Sequence, residues 1–328
     1  MLYALQCYLT DYCNLNCPGC YRRAMAPNGA PDKLLPPSDI IHYVNAIRGN
    51  DKFEQAVVFS GGEIFTAPVP YLHEVIQATL DMDVAVQLKT NGSWVADARR
   101  APAIWDMLKS LRVPRGLVAT PEQVQECLRT MGGDAVRAAR KDGAWYQALC
   151  DRLPTRPMLD LAVSVDNKIH PAQSVDWMRA IAERLAGDAT LRDNISLKIS
   201  AFMDNRNWFN RTVIRQGWPH VRDETWVNGQ IMAFTYDGMP VYAFFSDFVD
   251  VPTIPVPVTD HVVFAGHDGE YLTPLYMHPN RTISFENVDT MHAVGRVSYV
   301  DAAGQCRPIK RVMKDMIKTL RAQVRGGR

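Results

Sequence analysis

Three cysteines within eight residues constrain this chain more than any other feature: Cys13, Cys17 and Cys20, spaced C-x3-C-x2-C. A fully extended chain separates Cys13 from Cys20 by only about 25 Å, and a loop brings them much closer. Pro18-Gly19 is a turn pair that helps fold Cys17 and Cys20 onto one centre. Structural zinc asks for four ligands, usually as two separated pairs, and no second C-x2-C or His pair follows. A [4Fe–4S] cluster normally takes one thiolate per iron, so three local thiolates leave one iron with an open position for a small ligand. A zinc site completed by a distant His or Cys, or three buried free thiols, stays open on spacing alone.

The other cysteines sharpen this. There are seven in all, and Cys7, Cys127, Cys150 and Cys306 share no spacing. An odd count in 328 residues makes a disulfide framework a poor reading. The same count predicts a single cluster with no auxiliary one. Net charge is +1, so no global field draws the chain to nucleic acid or an anionic membrane. With 47% apolar and 22% charged residues, composition is that of a soluble globular protein. No run approaches the roughly 20 apolar residues that span a bilayer. The segment Met1 to Cys7 has no basic n-region or small-residue cleavage site, which predicts a cytoplasmic protein.

The rest of the chain reads as strands alternating with helices. Leu2 to Leu9 runs as a strand into Thr10-Asp11 and the cysteine loop. Pro36-Pro37-Ser38-Asp39 opens a helix, with Ser38 or Asp39 as its cap. Ala56 to Phe59 is a short buried-strand run followed by Ser60-Gly61-Gly62-Glu63. Two adjacent glycines at a strand end permit a close backbone approach, and Glu63 can accept from an ammonium. Val84 to Leu88 leads to Lys89-Thr90-Asn91-Gly92, and Leu159 to Asp166 to a polar strand end. There Ser164 and Asp166 share a face by the period of two. Ile195 to Phe202 reads as a further strand. Such alternation implies right-handed crossovers and a parallel sheet with its active site at the C-terminal strand ends.

With these motifs in this order, residues 2–205 resemble the radical SAM superfamily. The resemblance implies an α/β fold built on a partial (β/α)6 barrel. It implies that Cys13, Cys17 and Cys20 hold the cluster, and that its open iron chelates S-adenosylmethionine. Reductive cleavage of that cofactor then releases a 5′-deoxyadenosyl radical. By the same resemblance Gly61, Gly62 and Glu63 bind the methionine end. Tyr21 stands near the adenine, although many members place their aromatic residue just before the third cysteine, where this chain has Gly19. Ile64 replaces the usual proline after Gly-Gly-Glu. Asn91, Ser164 and Asp166 complete the cofactor and substrate contacts.

The departures suggest a layout. Residues 1–111 and 157–228 form the two halves of the barrel, and 112–156 a helical insertion. Residues 229–328 form a β-rich C-terminal extension, with a hairpin at Asp237-Gly238 and a basic amphipathic helix at the end. The expected activity is hydrogen abstraction from a polar small-molecule or peptide substrate, ending in epimerisation, dehydrogenation or rearrangement. An electron donor such as flavodoxin or ferredoxin is implied. Epimerisation needs a second hydrogen donor, for which Cys306 leads and Cys7, placed towards the barrel interior, is the alternative. A glycyl-radical-type activase and a non-enzymatic zinc-binding protein are the rival readings.

Overall fold

The computed structural model describes residues 2–17, 20, 32–50, 52–117, 121–133, 145–165, 173–202, 220–226, 229–237, 239–246, 264–265, 271–287 and 292–326. The expected strand–helix alternation is present. Strand β1 (Leu2–Thr10) enters the cysteine loop, and helix α1 (Pro37–Ile47) follows. Proline fixes the start of α1: Pro36 is the N-cap and Pro37 the first helical residue. Neither Ser38 nor Asp39 caps the helix, because both lie inside it. Ile40, Tyr43, Val44 and Ile47 recur at helical spacing and are fully buried. Strand β2 (Phe53–Gly61), helix α2 (Val69–Leu80), strand β3 (Ala85–Thr90) and helix α3 (Ala101–Ser110) repeat the unit.

The segment expected as a helical insertion is closed at its base by a ribbon. Strands β4 (Arg115–Leu117) and β5 (Thr155–Pro157) pair antiparallel, with α4 (Pro121–Met131) and α5 (Trp145–Cys150) between them. Residues 134–144 of this segment lie outside the described residues. The main sheet resumes with β6 (Leu159–Ser164), α6 (Ser174–Ala186), α7 (Ala189–Asn194) and β7 (Ser196–Phe202).

The described strands from residue 220 onward join this same sheet. Strand β9 (Gly229–Tyr236) pairs antiparallel with both β8 (His220–Trp226) and β10 (Met239–Ser246), and β10 pairs parallel with β7. The β9–β10 hairpin turns at Asp237, whose φ is +46°, as an Asp-Gly turn requires. At the opposite edge, β12 (Tyr271–Met277) pairs parallel with β1, and the two-residue β11 (Phe264–Ala265) pairs antiparallel with β12. Strands β13 (Thr282–Asn287) and β14 (His292–Ser298) extend the edge antiparallel. The parallel run is therefore β12-β1-β2-β3-β6-β7-β10.

Helix α8 (Ile309–Gly326) docks on β14. Its Ile309, Val312 and Met316 are buried, while Lys310, Arg311, Lys314, Lys318 and Arg321 are exposed. Gly295 permits the approach: it has φ +63°, and a Cβ there would stand 2.9 Å from the Met316 carbonyl oxygen.

The two faces of the sheet differ. Leu5, Cys7, Leu9, Val57, Phe59, Val86, Leu88, Leu161, Val163, Leu197 and Ile199 belong to the buried apolar cluster that includes the helices. Each fully buried large side chain there contributes about 1.5–3 kcal/mol by leaving water. The alternate positions Gln6, Ser60, Gln87, Lys89, Asp160, Ser164, Lys198 and Ser200 put a polar surface on the other face. Among the described residues, no helix is long and apolar enough to cross a membrane.

Candidate active site at the strand ends

Because β1, β2, β3 and β6 are parallel, Cys13, Gly61-Gly62-Glu63, Thr90-Asn91 and Ser164 all follow or end strands at one edge. The cysteine loop is stapled to the glycine turn backbone to backbone. Gly62 N donates to the Thr10 carbonyl at 2.8 Å, and Glu63 N to the Tyr12 carbonyl at 2.9 Å. A Cβ on Gly61 would lie 2.2 Å from the Thr10 carbonyl oxygen, and one on Gly62 2.1 Å from that of Tyr12. Gly61 also holds φ +144°. The nearest thing these glycines admit is the chain's own cysteine loop.

Glu63 is 1% exposed and its carboxylate spans to the next strand end. Oε1 accepts from Thr90 Oγ1 at 2.8 Å and Phe65 N at 3.0 Å, and Oε2 accepts from Asn91 N at 2.7 Å. Burial pushes its pKa up to about 7, against the pull of these donors and of Arg100. Glu63 thus joins the two turns instead of standing open as an acceptor. Arg100 donates to the Phe65 and Ala67 carbonyls beyond it. Below the turns, Trp94 packs between Phe65 and Trp105 with ring centroids 4.8 Å apart on each side.

Cys13 accepts from Leu15 N at 3.4 Å and from Asn91 Nδ2 at 3.7 Å. Asn91 also reaches Asn14 Oδ1 at 3.4 Å, and Asn14 Nδ2 donates to Ser93 Oγ at 2.8 Å. The Cys13 thiol is pushed up to about 11, first by burial and then by Glu63, Cys17 and Cys20, with the Leu15 N–H opposing. Cys17 is raised by burial and by Cys20. Three thiols that would repel one another as thiolates form a donor set that a cationic centre relieves. Among the described residues, no three His, Cys, Asp or Glu side chains could hold a metal ion. A four-iron cluster needs less convergence, since each thiolate sits on its own iron. The loop thiols and their N–H donors fit that group.

The other expected site residues divide. Ser164 ends β6 opposite Ser200 of β7. Tyr21 and Asp166 lie outside the described residues, as does the arginine- and aromatic-rich stretch 206–211. Cys7 does not face the polar side. It shares the apolar face with Leu5 and Leu9, 3.8 Å from Met277 Sδ, because the period of two opposes it to Gln6 and Tyr8. Cys306 is not at the strand ends either. It packs against the helix-side core, bonded to Asp39, and burial pushes its pKa up to about 12, with Asp39 adding to the rise. Cys127 and Cys150 stand on α4 and α5.

Sequence reasoning missed Asp160, although the alternation Leu-Asp-Leu-Ala-Val-Ser places it on the face of Ser164. Its Oδ2 lies 2.5 Å from Lys198 Nζ, while the buried Oδ1 has no hydrogen-bond partner. Asp160 is 7% exposed.

Three cysteines, a glycine turn and an Asn-bearing turn thus follow neighbouring strands at one end of a parallel-rich α/β sheet. The family model described as the radical SAM superfamily matches residues 7–130, the stretch that carries all three features. Over these residues the chain is similar to that superfamily, whose enzymes use a [4Fe–4S] cluster and S-adenosylmethionine and need a substrate and an electron donor. No curated protein matches the chain.

Proposed function

We propose that Cys13, Cys17 and Cys20 hold a single cluster, and that the protein abstracts hydrogen from a polar small-molecule or peptide substrate. The substrate would lie against the polar face of the sheet, as the lining of a partial barrel with 112–156 as its insertion. When bound, the cluster and S-adenosylmethionine supply a 5′-deoxyadenosyl radical. The chain's own residues bind and orient. Gly61 and Gly62 hold the turn against the cysteine loop, and Glu63 ties it to Thr90 and Asn91. Ser164 supplies a hydroxyl at the neighbouring strand end, and Tyr21 and Asp166 complete the set expected for cofactor and substrate.

The observation that carries the polar-substrate reading is Asp160. A buried carboxylate oxygen without a donor costs about 1–3 kcal/mol or more, and a ligand hydroxyl, amide or ammonium relieves that cost. Lys198 beside it and the Ser164–Ser200 pair offer further polar contacts. The placement of Cys7 and Cys306 on the helix side favours dehydrogenation or rearrangement over thiol-assisted epimerisation. A flavodoxin or ferredoxin would deliver the electron.

The test is anaerobic reconstitution followed by assay of 5′-deoxyadenosine under dithionite, without and with candidate substrates in deuterated water. About four irons per chain and 5′-deoxyadenosine are expected, with product lacking solvent deuterium at the altered carbon. Colourless protein with one zinc overturns the reading.

A further inference from the structure

The strand-end network gives Asn91 a role beyond cofactor contact. Its side-chain amide is fully used. Oδ1 accepts from Ser93 N at 2.8 Å, and Nδ2 donates to Asn14 Oδ1 at 3.4 Å and to Cys13 Sγ at 3.7 Å. This fixes the amide's orientation, since a flipped amide would set its NH2 against the Ser93 N–H. The backbone is fixed as well, because Asn91 N donates to Glu63 Oε2 at 2.7 Å. The acceptor side of the clamp is itself held, as Asn14 donates to Ser93 Oγ. Asn91 is 8% exposed, so water competes little for these contacts. A side chain held at backbone and amide alike presents one N–H to one sulfur.

We propose that Asn91 is a positioning residue that sets the reduction potential of the cluster through an N–H···S bond to Cys13, beside the one from Leu15 N. The proposal rests on Cys13 being a cluster ligand. Reduction adds negative charge that is shared with the ligand sulfurs. A donor aimed at such a sulfur stabilises the reduced state more than the oxidised one, and hydrogen bonds to sulfur are one of the protein's means of tuning such clusters. The amide does not touch the reacting atoms and acts only through Cys13.

The test uses the full chain reconstituted anaerobically, with iron content and a dye-mediated redox titration followed by electron paramagnetic resonance. Asn91→Ala removes the donor. Asn91→Asp keeps the size and the acceptor for Ser93 N but replaces the N–H donors with negative charge. Both should load the cluster and lower its potential. For Asn91→Ala the ratio of reduced to oxidised cluster at fixed poise should fall about tenfold, equal to about 59 mV for a one-electron couple. Asn91→Asp should shift it further in the same direction. Loaded variants with the wild-type potential overturn the proposal. If neither variant loads iron, Asn14→Ala and Ser93→Ala decide, because they loosen the clamp without removing the amide. A smaller shift of the same sign supports the role, and no shift overturns it. A four-iron cluster retained by Cys13→Ala would instead refute the ligand assignment.

Discussion

The two faces of the parallel sheet are built by the same strands one residue out of step, yet they hold opposite chemistry. On β6, Leu159, Leu161 and Val163 are fully buried in the apolar cluster. Between them Asp160, Ala162 and Ser164 carry a carboxylate, a methyl and a hydroxyl on the other face. On β1, Leu5, Cys7 and Leu9 alternate with Gln6 and Tyr8. The helix face is the kind of surface that stability alone selects. The polar face is not: a buried ion pair with an unpartnered oxygen is poorer for stability than packed hydrocarbon of the same volume. Chemistry that costs stability at the ends and along one face of the strands points to function there.

The largest expected effect lies at the strand ends. Replacing Cys17 with Ala should abolish assembly of the cluster, leaving essentially no bound iron after anaerobic reconstitution. An intact four-iron cluster in that variant would detach the cysteine loop from the site. The same loop should also fail if Gly62 becomes Ala, because the added Cβ would sit 2.1 Å from the Tyr12 carbonyl oxygen.

Next come paired substitutions that set one face against the other. Leu161→Ala, at a fully buried position, should cost about 2–5 kcal/mol in chemical denaturation. The double variant Asp160→Leu/Lys198→Met should be neutral, or more stable by about 1–4 kcal/mol, because both charges go together. It should nonetheless lose substrate-stimulated formation of 5′-deoxyadenosine. A double variant as destabilised as Leu161→Ala and fully active would make the polar face structural.

How much of this was legible in the sequence depended on the range of the interaction. The Asp237 hairpin and the amphipathic face of α8 are local patterns, and the structure repeats them, whereas α1 starts at Pro37 and not after a Ser38 or Asp39 cap. The parallel pairing of β12 with β1 joins Cys7 to Met277 across the length of the chain, and no periodicity reports such a partner. Strands β4 and β5 are three residues each, too short for alternation to show. At the site, residue types were readable but their partners were not. Glu63 suggested an open acceptor, yet backbone N–H groups at 65 and 91 occupy it. The glycines suggested a close approach to a ligand, and the structure shows a close approach to Thr10 and Tyr12. The period of two places Asp160 on the face of Ser164, but alternation reports a face and not the buried, unpartnered oxygen that sets Asp160 apart.

Glu63 gives the third prediction, in the iron-free full chain. Its folded pKa is raised to about 7 by burial, above its ordinary value of 4.5. The fold therefore prefers the protonated carboxyl. The group's contribution to stability is complete below about pH 4.5 and is lost as pH rises through about 7. At roughly 1.4 kcal/mol per unit, wild type should lose about 3 kcal/mol relative to Glu63→Gln across that window. Denaturation midpoints at pH 4.5 and pH 8 would show it. Parallel behaviour of the two proteins would mean that the three donors hold Glu63 ionised throughout.

The smallest effect is expected at Cys306, and it tests the comparison from the apolar side. Its thiol belongs to a knot in which Asp39 also accepts from Tyr299 Oη at 3.0 Å and from Arg281 Nε at 3.0 Å. Tyr43 Oη meanwhile donates to the Arg307 carbonyl at 2.8 Å and to that of Tyr299 at 3.0 Å. This knot fastens the turn before α8 onto α1. With Tyr299 and Arg281 still bonded to Asp39, loss of the thiol removes one donor among several, worth about 0.5–1.5 kcal/mol. Cys306→Ala should therefore shift stability slightly, and Cys306→Ser, which restores a donor, less. Neither should change the ratio of 5′-deoxyadenosine to product, since the thiol stands on the helix side and not at the strand ends. Solvent deuterium in the wild-type product that disappears in Cys306→Ala, together with uncoupling of the two, would place that thiol in the reaction and break the division between the faces.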